Sequence, residues 1–248
     1  MTGCRPPGPD AIFADPRLAP IYDAFDGDRA DLSAYLRIAD DLDAHNVLDV
    51  GCGSGCLALL LVQSGRSVTG VDPAGASLAV AKSKPGAESV TWIHGDAASL
   101  PTLGADLAMM TGNVAQVFLA DDDWSATLQG IRGALRQGGH LVFETRRPNR
   151  RAWEEWALDT GPRLRDVPGV GEVEQRRDVT SVDLPYVSFR QTYTFASDGL
   201  VVTSDSTLRF RSRAEVEESL TANGFIAVDV REAPDRPGQE HVFVAKRT

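Results

Sequence analysis

Length, composition and charge describe an ordinary globular protein and exclude several classes of function. The 248 residues are 42% hydrophobic and 24% charged, which suffices for one substantial core. The formal net charge of −10 disfavours a nucleic-acid partner, because phosphate binding requires clustered basic residues. The cysteines form no spaced framework, no apolar run has membrane-spanning length and no signal peptide is recognisable, so we expect a cytoplasmic protein without a membrane partner.

The N-terminal part is predicted to form a tail followed by helices. Residues 1–12 lack apolar periodicity, and we expect a disordered tail there. Asp15-Pro16 favours a helix start, and apolar residues follow at helical spacing. A second amphipathic helix is predicted to begin after Asp31. We therefore interpret residues 13–45 as an N-terminal helical cap.

Residues 46–148 alternate short apolar strands with helical segments. Strands are predicted at 46–50, 67–71, 89–94, 106–110 and 140–145, and helices at 57–63, 76–84 and 124–136. This alternation is typical of a parallel sheet covered on both faces. The predicted fold class is α/β, with a doubly wound, mostly parallel, Rossmann-like sheet.

The pattern changes after residue 148. Polar and apolar residues then alternate in three runs, at 173–182, 186–195 and 200–210. These runs predict an antiparallel β insertion over 149–211. Ser212 and Glu215 match a capping box at a helix start. Two last strands, 225–230 and 241–245, predict an antiparallel C-terminal hairpin within 212–248, which brings the core sheet to seven strands.

The stretch NVLDVGCGSG, residues 46–55, is the strongest candidate for a binding site. Its alternating glycines join a strand to a helix, so a ligand can approach bare backbone and unpaired helix N–H groups. In doubly wound sheets ligands bind beyond the carboxyl ends of the strands. The other segments at those ends are Asp72-Pro73, Gly95–Ala97, Thr111–Asn113 and Glu144–Arg147.

These motifs resemble those of the class I S-adenosylmethionine-dependent methyltransferases, and the resemblance extends from Phe13 to Arg247. The family's acid and three alternating glycines, which hold the methionine part of the cofactor, are matched by Asp49, Gly51, Gly53 and Gly55. The resemblance implies further contacts at later strand ends. They are Asp72 and Pro73 at the ribose, Asp96 and Ala97 at adenine, Thr111, Gly112 and Asn113 near the methyl group, and Tyr22 in the cap.

The resemblance implies a methyltransferase that moves a methyl group in line from S-adenosylmethionine to an O, N or C atom of a small organic molecule and leaves S-adenosylhomocysteine. We also expect no metal ion, because the sequence has no evident metal set like that of the catechol methyltransferases, and we expect a monomer or homodimer. No general base is identified; the candidates for catalysis are Asn113, Glu144 and Arg146. Glu144 is equally compatible with a substrate anchor and with an internal salt bridge.

The acceptor is expected under a roof made of the N-terminal helix, a tryptophan segment and a three-stranded insertion. The residues that we expect there are Phe13, Tyr22, Phe25, Trp153 and Trp156, with Arg190, Tyr193 and Arg209 pointing inward. Core packing explains Tyr22 nearly as well. His94, His140 and His241 are interpreted as buried structural residues, and Cys52 and Cys56 make a poor zinc site.

Three other functions share parts of this pattern. A nicotinamide oxidoreductase uses G-x-G-x-x-G, whereas the third glycine here comes one residue earlier. An enzyme that binds S-adenosylmethionine for other chemistry would keep the same motifs, because fold does not fix reaction. A non-catalytic partner protein predicts a degraded glycine loop, and this loop is intact.

Overall fold

The computed structural model describes residues 8–27 and 29–248. The helices in these ranges are α1 (Ala11–Ala14), α2 (Tyr22–Asp26), α3 (Leu32–Asp41), α4 (Cys56–Gln63), α5 (Gly75–Ser83), α6 (Asp121–Ala134), α7 (Ala152–Leu158) and α8 (Arg213–Ala222). The strands are β1 (Asn46–Val50), β2 (Ser67–Asp72), β3 (Val90–His94), β4 (Ala105–Met110), β5 (Leu135–Arg146), β6 (Arg163–Val167), β7 (Gly171–Asp183), β8 (Tyr186–Phe195), β9 (Val201–Arg209), β10 (Phe225–Glu232) and β11 (Glu240–Arg247). Each of these helices is too short or too polar to cross a membrane.

The main sheet has seven strands in the order β10-β11-β5-β4-β1-β2-β3. Strands β1 to β5 are mutually parallel, while β11 pairs antiparallel with β5 and with β10. The strand order reverses between β1 and β4, so a ligand cleft is expected at the carboxyl ends of these two strands. The predicted α/β fold class, with its doubly wound sheet and antiparallel C-terminal hairpin, is confirmed.

Helices cover both faces of this sheet because successive strand residues point to opposite sides. On one face Leu48 belongs to the same buried cluster as Leu128 of α6. On the other face its neighbour Val47 packs in a cluster with Leu61 of α4. The capping box predicted at Ser212 and Glu215 is present at the start of α8.

The insertion forms a second, antiparallel sheet in the order β6-β7-β8-β9. The sequence predicts three strands, and the structure adds a fourth, β6. Four of its five residues are exposed and three are charged, so it lacks the alternation that identifies a half-buried strand. It is an edge strand whose position is set by pairing with β7.

The inner face of the second sheet is apolar at both ends and polar in the middle. At one end Tyr193 and Phe195 pack on the N-terminal segment that contains Leu18. At the other end Val187 packs with Trp153 of α7. The second sheet contacts the segment that follows β4, where Arg209 donates to the Leu119 carbonyl oxygen at 2.9 Å. Between the two clusters lies a polar strip, formed in register by Arg177, Gln191 and Ser204.

The N-terminal expectations need two corrections. Residues 1–7 lie outside the described ranges, but the predicted disordered tail ends too late, since α1 begins at Ala11 and the Ile12 N–H donates to Ser204 Oγ at 2.9 Å. The helix predicted after Asp15-Pro16 is divided into a short 3-10 turn and α2. The side chain of Asp15 does accept from the following backbone, at 2.7 Å from the nitrogen of residue 17.

Candidate active site

The glycine loop connects β1 to α4 with three left-handed residues. Gly51, Gly53 and Gly55 have φ values of +70°, +52° and +82°. A Cβ added at Gly51 would lie 2.7 Å from Val114, and one added at Gly55 would lie 2.7 Å from Trp92. A Cβ at Gly53 would meet no protein atom within 4 Å. Two of the glycines are thus required for packing, whereas the middle one faces open space where a ligand fits.

Asp49 is a buried carboxylate near the carboxyl end of β1. Asp49 is 2% exposed, and its Oδ2 has no hydrogen-bond partner in the described part of the chain. Burial, followed by the nearby charge of Asp72, raises the pKa of Asp49 to about 7. An unpartnered buried carboxylate is costly unless a donor or a cation compensates it. The site therefore fits a ligand that carries an ammonium group.

Asp72 ties together the loops that follow β1 and β2. Its Oδ2 accepts from the Gly53 N–H at 2.8 Å, and its Oδ1 accepts from the Ala74 N–H at 2.7 Å. Burial raises the pKa of Asp72, and these two backbone hydrogen bonds oppose the shift. The carboxylate is therefore fixed at the strand end, beside the bare backbone of Gly53.

The residues that follow β3 divide between surface and interior. Asp96 is exposed and Ala97 is buried. His94 is exposed as well, with its imidazole 3.1 Å from the Pro73 carbonyl oxygen, so the expectation of a buried histidine is wrong there. His94 is the last residue of β3, and β3 is an edge strand of the main sheet.

The loop after β4 turns at Asn113, which has a φ of +63°. The Asn113 N–H donates to Glu144 at 2.8 Å, and its side-chain amide donates to Glu240 at 3.1 Å. The amide oxygen of Asn113 is buried and lacks a partner within the described residues. That oxygen is a second acceptor available to a ligand in the cleft.

Glu144 of β5 is a buried hydrogen-bond acceptor. One of its oxygens accepts from the Asn113 N–H and the other from the Tyr35 hydroxyl. Burial raises the pKa of Glu144 to about 7, against these two hydrogen bonds. Within the described residues it makes no salt bridge, so the internal salt bridge considered from the sequence is absent there. One oxygen fixes the loop that carries Asn113, and the other binds α3 through Tyr35.

Arg146 is half-buried rather than solvated. It donates to the Gln116 side chain at 3.0 Å, and its Nε lies 3.8 Å from Glu240. Burial lowers the pKa of Arg146 to about 10. Glu240 also accepts from Arg236 at 2.9 Å, so one carboxylate is shared among several donors. Arg146 therefore projects a positive charge at the end of β5.

The N-terminal cap is attached directly to the glycine loop. Asp23 of α2 accepts from Ser54 in that loop and from Lys84 at 2.6 Å. Tyr22 packs against Phe13 at a ring distance of 5.2 Å, and burial raises its pKa. Its hydroxyl therefore stays protonated. The packing expected for Tyr22 is observed, and its contact with the cofactor stays a prediction.

The roof residues predicted from the sequence are only partly placed as expected. Tyr193 is buried on the inner face of the second sheet, as predicted. Arg190 is on the outer face, where it pairs with Asp205 at 2.6 Å, so its prediction as an inward residue is wrong. It has the opposite parity to Tyr193 along β8. Arg209 donates to the Leu119 carbonyl at 2.9 Å.

Several side chains that build the site were not identified from the sequence. Tyr35 and Glu240 come from α3 and β11, more than 100 residues away from the groups that they bind. The sequence assigned Tyr35 to an apolar helix face, although a buried tyrosine hydroxyl usually needs a partner. Residues 8–27 and 29–248 hold no group of three metal-ligating side chains.

Residues 47–139 match the model of the methyltransferase domain family. Over these residues, which are less than half of its length, the chain resembles a methyltransferase domain. It is 31% identical over 143 residues to an uncharacterized methyltransferase of Oceanobacillus iheyensis. The aligned region covers 53% of this chain and 64% of the relative. The chain thus spans less than two thirds of that relative, and about half of the other first relatives that it matches.

Solved structures extend the likeness beyond this domain to nearly the whole chain. A sugar N-methyltransferase from Streptoalloteichus superposes with a TM-score of 0.76 at 19% identity, covering 100% of this chain and 98% of that one. An amino pentose methyltransferase from Micromonospora, solved with S-adenosylmethionine bound, gives 0.70 at 23% identity, covering 92% and 97%. At these identities the likeness establishes the fold. The resemblance to class I S-adenosylmethionine-dependent methyltransferases is confirmed.

Proposed function

We propose that the protein transfers a methyl group from S-adenosylmethionine to an O, N or C atom of a small organic molecule. The observation that carries the proposal is the buried Asp49, whose Oδ2 lacks a partner in the described chain beside the open space at Gly53. A cofactor with an ammonium group and a sulfonium compensates this carboxylate, while an uncharged ligand leaves it unpaired.

The residues at the other strand ends fit the rest of the cofactor. Asp72 offers a charged acceptor at the tip of β2 for two ribose hydroxyls. Exposed Asp96 and the buried backbone at Ala97 flank the position proposed for adenine. The amide oxygen of Asn113 is proposed to accept from the cofactor's amino group. Pro73, Thr111 and Gly112 are proposed as backbone contacts in the same cleft.

When bound, S-adenosylmethionine supplies a methyl group that the positive sulfur already activates. The work left to this chain is to align an acceptor and to exclude water. The aromatic pair Phe13 and Tyr22 closes the cleft from the N-terminal side. Glu144 acts here through Asn113, because both of its oxygens are engaged. It is proposed as a positioning residue, and Arg146 as a contact to the acceptor.

The acceptor is proposed to lie between the two sheets. The polar strip on the inner face of the second sheet lies between clusters centred on Tyr193 and Trp153. A surface with aromatic walls and a few polar groups is typical of small-molecule sites. A polymer would need a longer open groove.

Mass spectrometry of reaction products tests this function. The purified protein is incubated with S-adenosylmethionine labelled in its methyl group and with a panel of small phenols, amines and carboxylic acids. We expect one class of acceptor to gain the labelled methyl group while S-adenosylhomocysteine accumulates. Cofactor consumption with no label in any product would indicate other chemistry on the same fold, and binding of NADH instead of S-adenosylmethionine would contradict the proposal.

A further inference from the structure

Two arginine side chains lie against the same tryptophan in the space between the two sheets. The guanidinium carbon of Arg146, at the end of β5, is 5.2 Å from the ring centre of Trp156 in α7. That of Arg177, from the inner face of β7, is 5.8 Å from the same ring and 5.7 Å from the ring of Phe189. The cluster Arg146, Trp156, Arg177 and Phe189 thus joins the second sheet to the carboxyl edge of the main sheet.

Arg177 has no counter-charge of its own in the described chain. Neither a hydrogen bond nor an ion pair links its side chain to residues 8–27 or 29–248, and its Nε is buried without a partner among them. Burial, followed by the charge of Arg163, lowers the pKa of Arg177. The nearby acid Asp159 is already paired with Arg163. A partly buried cation without a partner is costly, and an anionic ligand would compensate it.

The charge around Arg146 points in the same direction. Its neighbour Glu240 also accepts from Arg236 at 2.9 Å and from Asn113 at 3.1 Å, so its negative charge is divided. Glu144 has a pKa raised to about 7 and is therefore only partly ionised near neutral pH. Two guanidinium groups, those of Arg146 and Arg177, therefore lie at one tryptophan ring in a chain whose formal net charge is −10.

We propose that Arg177 and Arg146 bind a carboxylate of the methyl acceptor while Trp156 and Phe189 pack against its ring. The acceptor class is then a small aromatic carboxylic acid. A guanidinium fork matches the planar carboxylate with two parallel hydrogen bonds, and flat aromatic walls match a planar ring. This inference rests on the proposed function, because it assigns the acceptor of that same reaction.

Calorimetry with a matched pair of probes tests the assignment. The protein is saturated with S-adenosylhomocysteine and titrated with para-hydroxybenzoate or with its methyl ester, which has the same ring but no charge. We expect the acid to bind about tenfold more tightly than the ester. Arg177→Gln should abolish this preference. Arg176→Gln is the control, because Arg176 lies on the opposite face of β7, paired with Glu174 at 2.6 Å, and should leave it unchanged.

The outcomes separate this inference from the proposed function. Equal affinity for acid and ester in a protein that binds S-adenosylhomocysteine overturns the carboxylate site and leaves the methyltransferase intact. Failure of the wild-type protein to bind S-adenosylhomocysteine overturns the proposed function. If Arg177→Gln does not fold, Arg177→Lys keeps the charge without the fork and should retain part of the preference. Phenyl phosphate binding more tightly than benzoate would assign the site to phosphate and overturn the carboxylate.

Discussion

The carboxyl edge of the main sheet and the inner face of the second sheet differ in the sign of their charge. The edge places Asp49 and Asp72 beside a bare glycine loop. The inner face instead presents Arg177 among aromatic rings. One side is suited to a cationic cofactor and the other to an anionic acceptor. The two halves of the proposed cleft thus carry charges of opposite sign.

The two regions also differ in how their polar groups are satisfied. At the edge, backbone N–H groups of neighbouring loops bind Asp72, so the carboxylate is fixed before any ligand arrives. On the inner face, the Arg177 side chain lies against aromatic rings, and its Nε has no hydrogen-bond partner within the described residues. We therefore expect the cofactor half to be preorganised and the acceptor half to become ordered by its ligand.

The largest expected effect comes from filling the open space at Gly53. Gly53→Val places a side chain in open space that we assign to the cofactor, so the affinity for S-adenosylhomocysteine should fall by about tenfold to hundredfold. Gly65→Val is the matched control, since Gly65 also has a positive φ, +90°, and open space. Both variants should lose similar stability. Equal cofactor affinity of the two variants in calorimetry would show that the cofactor does not occupy the space at Gly53.

The next effect is a pH dependence of stability to which the buried Asp49 contributes. The pKa of Asp49 is raised to about 7, above its unfolded value of 3.8, so the folded state binds the proton more tightly. Between about pH 4 and pH 7 the free energy of unfolding should therefore fall as pH rises, and above that it should level off. Asp49→Asn should reduce this slope in thermal melts without abolishing it, because Glu144, whose pKa burial also raises to about 7, contributes with the same sign.

Cofactor binding should follow the opposite direction with pH. Ionised Asp49 attracts an ammonium group, so the affinity for S-adenosylhomocysteine should rise by about tenfold between pH 6 and pH 8, with release of a proton. Asp49→Asn should remove this rise. Glu144→Gln is the control, because Glu144 has a similar pKa of about 7 but binds Tyr35 and Asn113 rather than the proposed ligand. If the rise is lost in Glu144→Gln and kept in Asp49→Asn, the titrating group is Glu144 and this prediction is contradicted.

The smallest effect should lie outside both regions. Ser212→Ala removes the capping box of α8 and should lower stability by about 1 kcal/mol, while affinities for cofactor and acid stay as in the wild type. Glu217→Ala removes only an exposed ion pair with Arg213 on the same helix and should change stability less. Chemical denaturation measures both, and a change in ligand affinity would show that the two halves are not independent of α8.

Features encoded within a few residues could be predicted from the sequence. The glycine loop, the acid at Asp72 and the capping box at Ser212 each depend on neighbours along the chain, and the structure has them where the pattern placed them. Strand boundaries were predicted less accurately. Strand β6 was missed because its position is set by pairing with β7, and its own residues do not alternate between polar and apolar.

Features that depend on distant contacts could not be predicted. Tyr35 and Glu240 reach the site only once α3 and β11 have packed against the main sheet. The direction of Arg190 depends on which parity of β8 faces inward, and polar residues occur on both faces of that strand. Arg177 was not singled out for the same reason, since its function depends on the neighbouring rings.

A crystal structure with S-adenosylhomocysteine and para-hydroxybenzoate tests the opposition of the two charged halves most directly. The account predicts the amino group of S-adenosylhomocysteine at Asp49, its ribose at Asp72 and its sulfur facing the space between the sheets, with the benzoate carboxylate on Arg177. A cofactor bound elsewhere, or a benzoate carboxylate turned away from Arg177, would contradict it.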